Sequence, residues 1–485
     1  MNASRVCLGF VIASAIALAS CAVGPQYKQP KPNIPEAWAS GAQGVSAAGD
    51  KKSAVTWWGE FKDPTLESLI ERATRSNLDV RQAMLRIDEA RAQRGVAAAG
   101  LWPSVSLDAS YQRQRLSEST QSGALITVAG SAFPNAALLA NPFDQYQLGF
   151  DASWELDLFG RVRRSVEAAD ADSQASLEDA HDAVVSMMAE VARTYTELRG
   201  AQARLVITQE MLRIQRDLLD LTRQRRDVGM TTDLDVENAA ALVASTESQV
   251  PQFEQLIAVD INQISKLLGL TPGALEGELQ GVATIPPVPP EVPVGLPAEL
   301  ARRRPDIRRA EARLHAATAR IGVATAALFP SLTLGASAGY QSQESSRLTD
   351  WASRYFAVGP KLELPVFNGA RWATVRVENV RAQEATNDYA RTVLQALHEV
   401  DNALVAYDRE QHRRDSLQTA VTHGEGAVQL AEQRYRSGIA SFIDVLDAQR
   451  SLQQSKLQLA ESTTTISTNL IALYKSLGGG WEAAQ

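Results

Sequence analysis

Two hydrophobic rhythms divide the chain. Over long stretches apolar residues recur at helical spacing, and between them four segments alternate residue by residue. From about Arg161 to Arg226, and again from about Arg371 to Arg436, the sequence has no proline and reads as continuous helix. At 1.5 Å per residue each stretch reaches roughly 100 Å. The first carries a heptad seam: Val184, Val191, Leu198, Leu205, Leu212 and Leu219. Met188 and Tyr195 partly fill a companion row before Gln202 and Gln209 turn it polar. A seven-residue repeat implies left-handed packing of helix on helix. No compact domain holds helices this long, so they are expected to line up in a bundle or tube.

The alternating segments are "SVSLDASYQRQR", "QYQLGFDASWEL", "SLTLGASAGYQSQ" and "RYFAVGPKLELPV". Apolar residues on one face and polar or small ones on the other predict strands near 104–115, 144–156, 331–343 and 354–367. Four strands cannot close a barrel, since even about eight only fill their interior with side chains. A four-stranded sheet in lipid would leave two edges of unsatisfied backbone groups. The chain is then expected to pool strands with other copies of itself; three copies give twelve, within the range of outer-membrane barrels. A soluble four-stranded sheet is the plainer alternative.

The pattern also repeats. "NLDVRQAMLRIDEARAQRGVAAAGLWPSVSLDAS" parallels "RPDIRRAEARLHAATARIGVATAALFPSLTLGAS", with Gly95 and Gly322, Leu101 and Leu328, and Pro103 and Pro330 in step. Gly229, Asp235 and Val236 likewise answer Gly438, Asp444 and Val445. A period of about 210 to 230 residues is far too long for a solenoid and indicates one unit duplicated. Between the copies, "IPPVPPEVPVGLP" (residues 285–297) predicts an extended, semi-rigid strap.

Composition narrows the setting. The 485 residues carry a formal net charge of −8, which argues against nucleic-acid binding as the main task. The two cysteines, Cys7 and Cys21, both lie near the N-terminus, so the folded body has no disulfide framework or cysteine-based metal site. After Arg5 comes an apolar run of signal-peptide length. "ALA" (Ala17–Ala19) fits ordinary signal peptidase, whereas "LASC" (Leu18–Cys21) fits a lipobox with Cys21 as the acylated first residue. The lipobox fits better, because the cysteine stands where that signal requires it and no other follows.

Enzyme chemistry finds little support. His181, His315, His398, His412 and His423 are scattered through helical stretches without an HExxH arrangement. "LGGGWE" (Leu477–Glu482) lacks the Lys-Ser/Thr of a phosphate loop and reads as a helix stop. Gly229 and Gly438 each end a long helix and permit a tight reversal, with Thr231 or Thr232, and Ser441, as caps for the returning helices. Asp444 and Asp447, three apart, share a helix face. Looking into a threefold pore they would make two stacked carboxylate rings; otherwise they are first-turn acids that favour the helix dipole.

Longer motifs carry a resemblance. Cys21 with "GPQYKQP" after it, "WWGEFKDPTLESLI", "RPDIRRAEARLHAATARIGVATAALFPSL" and "RYRSGIASFIDVLDAQ" resemble the TolC-like outer-membrane efflux proteins, most closely their lipoprotein branch, the OprM and NodT type. The resemblance runs in order through essentially the whole mature chain. It implies an α+β, mainly α, fold: a homotrimer with one twelve-stranded outer-membrane β-barrel, continued by a periplasmic α-helical barrel. It also implies a passive exit, with neither cofactor nor metal, docked through a periplasmic adaptor onto an inner-membrane resistance-nodulation-division (RND) pump. The cargo would be drugs, solvents or other toxic small molecules. Asp444 and Asp447 match the positions of the closed constriction, and Asp235 and Tyr435 match partners in the lock between helix pairs. One departure stands out: the family's lock arginine, two residues after the turn glycine, is Ala440 here, with Arg436 or Arg226 as stand-ins.

The expected layout is a lipoprotein signal (1–20), an acylated N-terminal segment and belt (21–60), repeat 1 (61–284), the strap (285–297), repeat 2 (298–477) and a tail (478–485). Long helices are expected at 161–227, 232–269, 371–437 and 441–477, with shorter ones near 64–99 and 297–327. Protein secretion on the same fold, and a periplasmic coiled coil without a pore, are the competing functional classes.

Overall fold

A computed structural model describes residues 22–31, 34–40, 45–46, 55–132, 141–289 and 292–484. The leader and Cys21 lie outside the described residues. In chain order the labelled elements begin β1 (Val45–Ser46), α1 (Pro64–Ser76), α2 (Leu78–Ala99), β2 (Ser104–Gln114), α3 (Gln121–Ala132) and β3 (Phe143–Leu156). Next come α4 (Arg161–Asp227), α5 (Asp233–Glu247), α6 (Val250–Leu267), α7 (Glu276–Leu279), β4 (Val292–Pro293), α8 (Pro297–Arg303) and α9 (Pro305–Ala326). The last are β5 (Ser331–Ser342), β6 (Arg354–Glu363), α10 (Gly369–Arg436) and α11 (Phe442–Ser476).

Two compact units result, and they are not the two repeats. The first takes the described residues of Met1–Gln29, Glu89–Ser173 and Ala312–Thr386; the second takes those of Pro30–Asp88, Gln174–Glu311 and Asn387–Gln485. Each draws on both halves of the sequence, because helices as long as α4 and α10 pass from one unit into the other.

The first unit holds one antiparallel sheet in the order β2-β3-β5-β6. The β2–β3 hairpin comes from repeat 1 and β5–β6 from repeat 2, and the β3–β5 ladder, from Tyr146 opposite Ser342 to Leu156 opposite Leu332, joins them. The strand expected to 367 stops at Glu363. Leu364 and Pro365 follow it outside the ladder, although Pro360 is accommodated within this edge strand opposite Leu334.

The second unit holds the main core. Trp57, Phe61, Leu66 and Leu69 pack on Val184, Val191 and Leu198 of the heptad seam, with Leu404, Leu470 and Tyr474. Trp57 stacks on Tyr474 at 5.5 Å, and the Tyr195 hydroxyl donates to Asp63, the cap of α1, at 2.8 Å. The N-terminal segment is tied to the strap: Trp38 donates to the Gly295 carbonyl at 2.9 Å, and β1 pairs in parallel with β4.

Three helices expected to be continuous are broken, each for a local reason. Asn77 separates α1 from α2; its side-chain oxygen accepts from Asp79 and Val80 N–H, so it starts a new helix as an N-cap. Arg304 separates α8 from α9 in extended backbone, as expected before Pro305. The helix after the first turn breaks at Ser248–Gln249, with Pro251 in the first turn of α6.

Candidate functional site

The two reversals between long helices are built alike. In the first, α4 ends with Gly229 N–H donating to Arg226 O at 2.9 Å and Met230 N–H to Arg225 O at 2.8 Å. In the second, Gly438 donates to Tyr435 O at 3.0 Å and Ile439 to Arg434 O at 2.9 Å. Gly229 (φ +74°) and Gly438 (φ +76°) take the left-handed conformation that lets a helix end this abruptly.

The returning helices begin with matching caps. Thr232 N–H donates to Asp235 Oδ2 at 3.1 Å and Asp235 N–H to Thr232 Oγ1 at 3.3 Å, a reciprocal capping box, and Thr231 adds a bond at 2.6 Å. Ser441 donates to Asp444 Oδ2 from both its N–H and its hydroxyl, each at 2.9 Å. The acid six residues after each turn glycine is therefore the third residue of a helix, where a carboxylate satisfies donors that the helix leaves open. Burial alone would push the Asp235 carboxyl up; the bonds from Thr231 and Thr232 outweigh it and hold the group below its ordinary range.

Asp444 and Asp447 both lie on the exposed face of α11, while Phe442, Val445 and Leu446 on the other face are buried. Asp447 makes no cap. Its near cation is Arg450 at 3.9 Å, and its side chain is 69% exposed. Of the two acids it holds the looser charge.

The structure does not join Asp235 to Tyr435. Asp235 is occupied by its own turn, and the buried Tyr435 hydroxyl has no hydrogen-bond partner among the described residues. The Tyr435 ring lies against Phe442 at 5.3 Å, within a cluster that includes Leu212, Leu219, Leu242 and Val445. Neither anticipated arginine crosses between the turns: Arg226 pairs with Asp227 and Asp233, and Arg436 with Glu432. The crossing residue is Arg225, which donates to Tyr435 O at 3.2 Å and stands 4.4 Å from the ring centre. Sequence reasoning passed over it. Its signal was modest, a basic residue in the last turn of α4, where cations suit open carbonyls.

In the first unit the strand registers sort the side chains cleanly. Val105, Leu107, Phe150, Trp154, Phe356 and Val358 share one face, and all six are exposed. Ser106, Asp108, Gln147, Asp151, Ser337 and Lys361 share the other. Aromatics flank the apolar band: Tyr111 meets Tyr146 at 4.9 Å toward one end, and Trp154 lies toward the other. Tyr146 to Trp154 spans roughly 26 Å along the strand, about the thickness of an outer-membrane apolar belt. On the polar face Gly149 opposes Gly339, and a Cβ on Gly339 would run into the backbone of Gly149. Among the described residues of the single chain, both edges, β2 and β6, are unpaired.

A sheet with one exposed apolar face, one polar face and open edges, together with long antiparallel helices, defines the class: a channel-forming protein of the outer-membrane type. The chain belongs to the outer membrane efflux protein family, whose sequence pattern matches residues 69–270 and 296–479. It is 34% identical to the toluene efflux pump outer membrane protein TtgC of Pseudomonas putida and equally to the antibiotic efflux pump outer membrane protein ArpC of that species. Each match runs over 480 residues, 96% of this chain and 94% of the relative. The solved outer-membrane channel OprN superposes with a TM-score of 0.85 at 35% identity, covering 95% of this chain and all of that one. The chain is an outer-membrane efflux channel that extends into the periplasm.

Proposed function

We propose that three copies close one twelve-stranded barrel, edge β2 of each chain pairing with edge β6 of the next, to form the passive exit duct of a tripartite efflux system. One observation carries this reading: a sheet with an apolar outer face has two unpaired edges, which a bilayer does not tolerate. Native mass spectrometry of the detergent-extracted protein is expected to give three chains; a one- or two-chain assembly would sink it.

The partners are a periplasmic adaptor and an inner-membrane RND pump. The chain itself does no chemistry, and energy comes from the pump. The relatives named for toluene and antibiotic efflux support small toxic molecules as cargo. The helical turns are the periplasmic gate: Asp444 and Asp447 ring the constriction, with Asp447 supplying most of the field. Asp235 stiffens the first turn, and Tyr435, held by Arg225, links the two helix pairs. Opening moves the pair around Gly438 outward after adaptor and pump engage.

Cys21 carries the lipid anchor. The residues after it are firmly seated, which supports this: Val23 N–H donates to Phe159 O at 3.1 Å, and a Cβ on Gly160 would lie 2.8 Å from Ala22. Position 22 is thus held where β3 passes into α4. Radiolabelled palmitate incorporation is expected to disappear in Cys21→Ser.

A further inference from the structure

One position in the four strands is buried, and it is a glycine. Gly149 of β3 is covered, whereas every other residue of the β2-β3-β5-β6 sheet is exposed or partly so. Its cover is Tyr355, which leaves β6 opposite Gly339 and is the one half-buried residue of that strand. From there the side chain crosses β5 to reach β3: a Cβ built on Gly149 would collide with the Tyr355 hydroxyl. Gln147 Nε2 donates to that hydroxyl at 2.9 Å. The register puts Gln147, Gly149, Gly339 and Tyr355 on the polar face.

A tyrosine on the inner wall of a duct has two choices, to lie along the wall or to project into the lumen. Here two glycines remove the side chains it would strike, and Gln147 supplies a partner for its polar end. We propose that Tyr355, laid flat over Gly149 and Gly339 and latched by Gln147, sets the bore of the strand section and so the size of cargo that leaves. This rests on the polar face being the wall of the duct.

The two glycines are not equivalent as probes. At Gly339 an added Cβ meets backbone, so substitution there distorts the sheet. At Gly149 it meets the far end of a side chain, and the nearest backbone atom, Ala338 O, is 3.0 Å away. Gly149→Ala and Gly149→Val are therefore expected to fold and to lift Tyr355 off the wall.

The two cysteines of the sequence both precede the described residues, so an introduced thiol can be followed above that background. Along β3, Gln145 lies on the loop side of Gly149 and Ser153 on the helix side, both on the polar face. In intact cells, Gln145→Cys and Ser153→Cys in the full-length chain are treated from outside with neutral maleimides of graded size. With Gly149 present, both sites label up to the same size. With Gly149→Val, Ser153→Cys is expected to lose labelling by the larger reagents while Gln145→Cys keeps it, and Tyr355→Ala restores it. Gly149→Ala is expected to give a weaker form of the same loss. An unchanged size limit in both glycine variants, with heat-resistant assemblies intact, overturns the proposal. Failure of Ser153→Cys to label with even the smallest reagent when Gly149 is present overturns instead the duct reading beneath it.

Discussion

Arg225 holds Tyr435 twice over, donating to its carbonyl at 3.2 Å and lying 4.4 Å from the centre of its ring. One contact caps the end of α10 and the other pins an aromatic side chain, and both come from the opposite hairpin. Together they are worth about 1–2 kcal/mol. Arg225→Ala is expected to raise the open fraction of channels in planar bilayers roughly tenfold. Tyr435→Phe removes only a buried hydroxyl without a partner and is expected to leave gating unchanged and stability equal or slightly higher. Gating lost in Tyr435→Phe and kept in Arg225→Ala would reverse the assignment.

The two acids of α11 are expected to separate by experiment. Asp447→Asn should weaken cation preference and divalent-cation block of single channels, because its charge is loosely held. Asp444→Ala should mainly lower the stability of the turn, by about 1 kcal/mol, since its carboxylate serves as a cap. Equal selectivity in wild type and in the double variant Asp444→Ala, Asp447→Ala would remove the constriction from this helix.

Asp260 on α6 gives the second unit a pH dependence. Burial pushes its carboxyl up to about 6, the Glu197 charge adds to this, and Arg193 and Arg204 pull the other way. The folded chain therefore keeps a proton that the unfolded chain releases at the ordinary value near 4. The resulting stability is fully present below about pH 4 and is lost as pH rises through about 6. Asp260→Asn is expected to raise the unfolding temperature at about pH 7.5 and leave it unchanged at about pH 4. A rise at both values would point to packing instead of charge.

Arg304 gathers three separate groups: Asp306 at 2.7 Å, Glu399 at 2.7 Å and the Ser476 carbonyl at 2.7 Å near the end of α11. It is almost completely buried, so truncation leaves acids and a carbonyl without their cation. Arg304→Ala is expected to cost about 3–5 kcal/mol in denaturant unfolding. Arg304→Lys should recover only part, because one ammonium cannot reproduce the planar fork that reaches all three.

Much of the fold was legible because it is written locally. Alternation gave the strands and their two faces, the absence of proline gave α4 and α10, and the turn glycines gave the reversals. Asn77, Pro251 and Pro305 also stood in plain view as breaks, but the surrounding helical period masked them. The recurring acids Asp235 and Asp444 suggested gate chemistry, yet each also answers the simpler demand of a helix start, which Thr232 and Ser441 already signalled. Arg225 was harder. Its partner lies in the other hairpin, and no spacing within one segment reports a contact made across two. The same holds for Tyr355, whose neighbours Gly149 and Gln147 belong to a strand in the other repeat.

The β3–β5 ladder also dictates a timetable. Tyr146 finds its partner only when Ser342 has been made and delivered, with a whole long helix and the proline strap in between. Until then the first hairpin travels with a hydrophobic face and a bare rim, the form of a nascent chain most prone to stick to its neighbours. Contacts this distant in sequence form late. The cell must therefore keep the protein escorted on its way to the membrane until the second half arrives.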